Sequence, residues 1–513
     1  MIKSKSNINK IKPQSSMIFL NQLASFGIVL SALFVTGCQN REDFLHDTVV
    51  DHSTVAPTTD TVTTDSSFYQ GADLSYVNEL EDNGVKYHKD GADVDPFTLL
   101  RSYGANIVRL RLWHNPSWTS YSTLNDVERS MKRAKTAGLE VLLDFHYSDT
   151  WTDPQQNLVP AAWKPVVKYS SLLSDSVYNY TYRTLEHLNS VGLLPVIVQI
   201  GNETNFNVIV ADNNDLQPVN YARNVKLFNA GLKAVSDFNE QYGKQIKTML
   251  HVALDPGSAA TWLVRHKRYG LNYFDLLGLS YYPQWQDYTP AELGNFASLL
   301  HDKYGTRLFV AETSQIWTRA WNDNNHNLMS KMCAGYPDVP SPQFQKDYVT
   351  EIKEALMNNG GAGFSVWEPF WVSASNKTLW GVGSNWENAT FFDFNNNLLP
   401  HSAIEAYGDY NVKVTFEVDM QGAGSSAKGY VTGDFTDDGF GHWQIIPMRQ
   451  ATAGSTKYYF NTYLCRNQTG KFYFLSDSTW SSREVINGSV QDRCYHINTA
   501  DNWMKIAKDF GKQ

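Results

Sequence analysis

Between Gly71 and about Tyr410 the chain repeats one pattern: a short apolar run, a polar or aromatic loop, then a stretch whose apolar positions recur every three or four residues. The apolar runs predict strands at Gly71–Tyr76, Asn106–Trp113, Glu140–Tyr147, Pro195–Glu203, Lys247–Val252, Leu276–Tyr282, Leu308–Thr313 and Gly363–Glu368. In the stretch Leu124–Ala137, Val127, Met131 and Ala134 share one helical face, and Gly138 is a good stop. Eight apolar strands alternating with helices imply a parallel sheet with covered faces, and eight strands close a barrel. The expected fold class is α/β, a (β/α)8 TIM barrel. An open doubly wound sheet is the alternative, but no Gly-rich phosphate loop follows the first strand.

From Val412 the period changes to two. Val412–Val418, Lys428–Thr432, Lys457–Tyr463 and Lys471–Leu475 predict a small all-β sandwich. Val414–Met420, Gly429–Phe435 and Trp443 resemble starch-binding-like accessory modules. Trp443, Trp480 and Trp503 could stack on sugar; a core position is favoured for any one of them, and a spacer role is the alternative for the module.

The chain starts differently. Lys3, Lys5, Lys10 and Lys12 precede an apolar run from about Met17 to Val35, a secretory pattern. It ends Leu33-Phe34-Val35-Thr36-Gly37-Cys38, which resembles a bacterial lipobox with Cys38 as the lipidated residue. A membrane-spanning helix is the weaker reading, because Asn21 and Gln22 interrupt the run. Residues 1–38 are thus expected to be a lipoprotein signal and 39–67 a flexible Thr/Ser/Asp-rich linker. Residues 68–410 would form the barrel and 411–513 the β-module. The protein is expected to be exported and lipid-anchored, at the outer-membrane surface or the periplasmic face. The acidic pair Glu42-Asp43 hints at the surface.

A net charge of −9 argues against nucleic acid as a partner. The 15 Trp and 28 Tyr exceed ordinary core needs and suit sugar, whose C–H faces stack on such rings. Four cysteines without metal-ligand spacing make a zinc site unlikely, and Cys465 could pair with Cys494 in an oxidising compartment. A monomer is expected.

Barrel active sites lie at the carboxyl ends of the strands, and polar residues concentrate there. Strand two ends Arg109-Leu110-Arg111-Leu112-Trp113, and strand three ends Asp144-Phe145-His146-Tyr147. Later ends are Asn202-Glu203, Tyr281-Tyr282, Glu312-Thr313 and Trp367-Glu368. Glycoside hydrolysis needs one carboxyl to protonate the leaving oxygen and a second to attack or to activate water. Asp144, Glu203, Glu312 and Glu368 are the candidates. Glu203 has Asn202 beside it, suited to a sugar 2-hydroxyl. Glu312 leaves the apolar run Leu308–Ala311, which holds a nucleophile rigidly. Strands four and seven lie across the barrel from each other. Asp144 and Glu368 read better as orienting groups.

These blocks resemble glycoside hydrolase family 53, the arabinogalactan endo-β-1,4-galactanases. The matching motifs are Gly71–Tyr76, Val108–Trp113 with Asn115-Pro116, Gly138–Trp151, Gln199–Glu203, Gly278–Pro283, Ala311–Thr313 and Trp367–Pro369. The resemblance implies a retaining, double-displacement cleavage of β-1,4-galactan with Glu203 as acid/base and Glu312 as nucleophile, about 5–5.5 Å apart. It implies that Arg109 or Arg111 steadies the nucleophile, that Tyr281 or Tyr282 bonds it, and that Asp144, His146 and Asp149 line the sugar sites. Trp367 and Trp386 would be stacking floors, with Trp113 and Asn202 also touching substrate. Glu203 should titrate high and Glu312 low. No cofactor is expected for catalysis. A structural calcium is implied for some members, and Asp323, Asn325, His326, Asn327 and Ser384 lie in the right loops, against a plain Asn-rich loop as alternative. Rival readings are a mannanase or glucanase on the same barrel, and a non-catalytic glycan-binding lipoprotein.

Overall fold

The computed structural model describes residues 67–512 apart from 380, 410 and 425. The expected signal, Cys38 and the linker up to residue 66 lie outside the described residues. Among the described residues no helix is long and apolar enough to cross a membrane.

Eight parallel strands close a barrel in sequential order: β1 Tyr69–Asp73, β2 Ile107–Leu112, β3 Glu140–Phe145, β4 Ile197–Ile200, β5 Lys247–Val252, β6 Leu276–Tyr281, β7 Arg307–Thr313 and β8 Gly363–Val366. Each overlaps an expected apolar run, β1 starting two residues before its run. Several are shorter at the carboxyl end, where Asn202-Glu203 and Trp367-Glu368 leave the ladder. Alternation sorts the side chains. Tyr69, Ile107, Leu142, Ile197, Met249, Leu276, Phe309 and Ala311 form an apolar floor inside the barrel. Their neighbours Val108, Leu143, Val198, Leu277 and Val310 belong to the larger core that includes the helices. The helix Leu124–Ala137 begins at Thr123, whose side chain accepts from Asp126 N. It ends at Gly138, where φ is 77°.

The chain then builds two four-stranded sheets. One runs Arg449–Gln450, Lys457–Cys465, Asn411–Asp419, Trp503–Asp509; the other runs Ile446–Pro447, Tyr430–Gly433, Thr469–Leu475, Arg493–His496. Val412, Val414, Phe416 and Val418 alternate inward, as the period of two predicts. The strand Trp503–Asp509 escaped the sequence reading because it is a largely exposed edge strand with little apolar contrast. Two expectations are corrected here. Cys465 and Cys494 stand on different sheets and are free thiols; Cys465 donates to Glu405 while Cys494 is exposed. Trp480 and Trp503 are 42% and 55% exposed and Trp443 is half-buried, so none is core.

The helix Pro342–Asn358 joins barrel and sandwich, and buries polar side chains on both sides. Gln345 donates to the carbonyls of Gln315, Ala389 and Thr390, and Lys346 pairs with Glu405. Asp347 accepts from Tyr463 N, Thr462 Oγ1 and Gln343 Nε2. Burial nevertheless pushes the Asp347 carboxyl up to about 7, with these donors opposing. Its folded value thus exceeds its unfolded one, so the folded state binds the extra proton and stability is lost as pH rises through about 7. The upper bound is about 4 kcal/mol. Asp347→Asn keeps the shape without that proton. Urea unfolding between pH 5 and 8.5 is expected to be flatter with pH for the variant and to favour it above pH 7; parallel profiles would sink the assignment.

Candidate active site

The barrel mouth is organised by Arg109, the inward residue two places above Ile107 on β2. Its guanidinium touches five acceptor side chains, from four other strands and the loop after β4. Nη1 lies 2.9 Å from Asp73 Oδ2 and 2.9 Å from Glu312 Oε1. Nη2 lies 2.8 Å from Asp144 Oδ2 and 2.7 Å from Asn202 Oδ1, and Nε donates to Gln199 at 3.1 Å. Burial works against charge on Arg109, but Asp144, Glu312 and Asp73 more than offset it, so the guanidinium stays ionised. Arg109 is therefore the partner of Glu312. Arg111 is not: it donates to Ser122, sits 3.6 Å from Glu368, and stacks over Trp151 at 3.9 Å with Trp113 and Tyr76 alongside.

Glu312 reaches this spot through a bulge. Phe309 and Ala311 point inward, so simple alternation would send Glu312 out toward the helices. The register slips there, Leu279 pairing with Val310 but Ser280 with Glu312. The extra residue re-aims Glu312 into the barrel and leaves Thr313 to bond Tyr348 of the surrounding helix. Tyr282 donates to Glu312 Oε2 at 3.0 Å. Tyr281 has the opposite parity: it is fully buried and donates to the Tyr288 carbonyl, which removes it from the substrate-facing set. That distinction was available from parity, since Tyr282 shares it with Gly278 and Ser280.

Glu203 follows Gly201, at φ 84°, in a turn where its own φ is 47°. This left-handed backbone is costly for a side-chain-bearing residue and points to a functional constraint. Ser280 donates to Glu203 Oε1 at 2.6 Å. A carboxylate oxygen of Glu203 lies within 4.8 Å of one of Glu312. Burial, then the facing Glu312 charge, raises Glu203 well above the usual carboxylate range. Glu312 is not low as expected: burial raises it too, and Arg109 only partly opposes this. Glu203 is the higher of the two because Arg109 is in direct contact with Glu312 and acts on Glu203 only from further off.

Asp144 and His146 are buried, 3.1 Å apart, and His146 Nδ1 receives Thr152 N. Burial holds His146 below the ordinary imidazole value and thus neutral. Asn202 is committed to Arg109 and to the Thr152 carbonyl. Asp149 pins loops, accepting from Asn115 N and Ala161 N. Trp367 is half-exposed at the mouth; Trp386 is buried behind it, donating to its carbonyl, and Trp113 is buried under Arg111. The sequence reading gave no role to Asp73, Gln199, His251, Ser280 or Trp285. Trp285 is 39% exposed and stands edge-on to Tyr282 with centroids 5.2 Å apart.

In the loops beyond β7 and β8, Asp323 accepts from Asn325 N and Ser384 N, and Glu387 accepts from Asn322 N and Ser373. Burial, with the nearby Asp323 charge adding to it, raises Glu387. The amide oxygens of Asn327 and Asn385 are buried without a hydrogen-bond partner. His326 instead packs edge-on against Trp321, and the Ser384 hydroxyl donates to the Trp371 carbonyl.

A closed β/α barrel with two facing carboxyls at strand ends, one clamped by an arginine and a tyrosine, defines a glycoside-hydrolase type of site. The profile of glycosyl hydrolase family 53 matches residues 69–405, and the chain belongs to that family. It is 43% identical over 343 residues to an arabinogalactan endo-beta-1,4-galactanase of Cellvibrio japonicus, covering 66% of this chain and 90% of that one. An endo-beta-1,4-galactanase of Bacillus subtilis is 32% identical, covering 67% and 86%. The solved GH53 catalytic domain of Ignisphaera aggregans superposes with a TM-score of 0.59 at 29% identity, covering 67% and 96%.

Proposed function

We propose that the protein is an endo-β-1,4-galactanase that retains anomeric configuration. The observation that carries the mechanism is the approach of Glu203 and Glu312 to within 4.8 Å between carboxylate oxygens. That gap suits direct attack and is too narrow for a water between the two carboxyls, which needs about 6.5–9.5 Å. Glu312, oriented by Arg109 and Tyr282, attacks the anomeric carbon. Glu203, kept protonated by its raised pKa, gives its proton to the departing O4 of the next galactose. Glu203, now ionised, then takes a proton from water as that water releases the sugar from Glu312. Galactan as substrate rests on the family and on the names of the relatives. The deciding experiment is reducing-end release by the pure protein from β-1,4-galactan, with β-mannan and β-glucan as controls and the initial anomer read by NMR. No release from galactan, or an initial α-anomer, would overturn the proposal.

We also propose a calcium ion across the Asp323 and Glu387 loops. Two carboxylates with the unpaired oxygens of Asn327 and Asn385 offer the oxygen donors calcium prefers, and a cation would relieve the repulsion between the carboxylates. The Ser384 hydroxyl, expected as a ligand, is engaged by the Trp371 carbonyl, and His326 packs its ring edge-on against Trp321. At 1 mM calcium the Tm is expected to rise by several degrees over the chelated protein, and Asp323→Ala should abolish the rise. An identical Tm with and without chelator would remove the site.

A further inference from the structure

We propose that Ser280 and His251 form a two-way hydrogen-bond relay that serves Glu203 in both of its protonation states. The inference rests on the acid/base reading of Glu203 given above.

The chain of contacts is continuous. Ser280 Oγ lies 2.6 Å from Glu203 Oε1 and 3.0 Å from His251 Nε2. His251 Nδ1 lies 2.9 Å from Asn202 Oδ1. Arg109 donates to that same oxygen at 2.7 Å, so the atom facing His251 is an acceptor. Facing that acceptor, Nδ1 carries the imidazole proton in the proposed relay, and Nε2 is bare and accepts. Gln199 Nε2 and Glu203 N also approach Nδ1, at 3.1 and 3.3 Å, and favour the opposite tautomer. The shorter contact to an oxygen already fixed by a cation decides between them.

With Nε2 an acceptor, the Ser280 hydroxyl has two places to send its single proton. When Glu203 is ionised, Ser280 donates to the carboxylate. When Glu203 at rest carries its proton on Oε1, that O–H donates to Ser280 Oγ and Ser280 turns its own proton to His251 Nε2. When the proton sits on the other oxygen, facing the departing O4, Oε1 is an acceptor again and Ser280 turns back to it. No proton changes owner within the relay; the hydroxyl only rotates. A retaining acid/base must be acid in the first step and base in the second, and a rotor of this kind leaves neither form without a buried partner. His251 suits the task because it stays neutral: burial, then the Arg109 charge, holds it well below the ordinary imidazole value. Gly278 makes its room, since a Cβ there would lie 3.0 Å from Met249 Sδ and 3.2 Å from the His251 ring. The groups facing Glu203 are Glu312, Arg109, Asp153 and the Tyr282 hydroxyl; those facing His251 are Arg109, Asp144 and His146.

Ser280 and His251 are positioning residues, and Ser280→Ala tests them. On galactan the variant is expected to lose roughly ten- to a hundredfold in kcat with KM little changed. The alkaline limb of its pH profile should move up, because the carboxylate has lost its donor. With a dinitrophenyl β-1,4-galactobioside, whose leaving group needs no proton, the burst should persist while the steady state slows, since only the second step still needs Glu203 as base. Ser280→Thr, which keeps the hydroxyl, should restore most of kcat. An unchanged pH profile and kcat in Ser280→Ala would overturn the relay, as would equal losses in burst and steady state. Nitrogen-15 NMR of the wild-type imidazole gives an independent reading: Nδ1–H with a bare Nε2 is expected, and an Nε2–H tautomer throughout the pH range overturns the rotor. Wild-type silence on galactan would be a failure of the proposed function and not of the relay.

Discussion

Glu312→Ala is expected to lower galactan hydrolysis on the order of 10⁴-fold or more while leaving oligosaccharide binding intact. The binding should survive because the removed carboxyl sits at the reacting carbon, and the partly exposed rings of Trp367 and Trp285 are untouched by the change. The truncation also leaves a space beside Arg109 and Tyr282 that a small anion can enter. Azide added to the variant with an aryl β-1,4-galactobioside should restore turnover and give the α-galactosyl azide, because attack comes from the face Glu312 occupied. The product is read by proton NMR. A β-azide would exchange the roles of the two carboxyls, since that stereochemistry belongs to loss of the acid/base.

The second large effect is on stability. Arg109→Leu removes the single cation shared by Asp73, Asp144 and Glu312, all of them buried. Breaking a buried ion pair by deleting one partner costs about 3–5 kcal/mol, and here three carboxylates lose theirs together. The expected result at pH 7 is destabilisation at the upper end of that range, measured by urea unfolding. The pH dependence follows from sign. Without Arg109, burial leaves Asp144 and Glu312 titrating higher than in the unfolded chain, so stability is kept at low pH and lost as pH rises through their new values. The gap from wild type should therefore narrow below pH 5. A variant as stable as wild type at pH 7 would mean that the cluster is solvated and the charge shared with water.

What was legible in the sequence was what depends on period and on local chemistry. Eight apolar runs at the spacing of βα units admit few arrangements, and the expected strands coincide with those that close the barrel. Thr123 and Gly138 mark a helix because a cap and a left-handed stop are local properties. Among four strand-end carboxyls, Glu203 and Glu312 stood out by the Asn202 beside the one, the rigid apolar run before the other, and the position of strands four and seven across the barrel. The choice of Tyr282 over Tyr281 was also present, in the parity they share or do not share with Ser280.

The tertiary structure alone decided everything that depends on which side chains from distant strands meet. Arg109 and Arg111 have the same parity on the same strand, and only the neighbours around the barrel wall give one to Glu312 and the other to Glu368. Glu312 itself would face the helices by alternation; a one-residue bulge opposite β6 turns it inward, and nothing in Leu308–Thr313 announces that bulge. The helix Pro342–Asn358 carries Gln343, Gln345, Lys346 and Asp347 near its start, and all four are buried because Gln345 and Lys346 meet barrel loops and Glu405 while Gln343 and Asp347 meet the β-module. Burial, partnership and pKa are properties of assembled neighbours, and a single chain read in order carries only the period that brings those neighbours within reach.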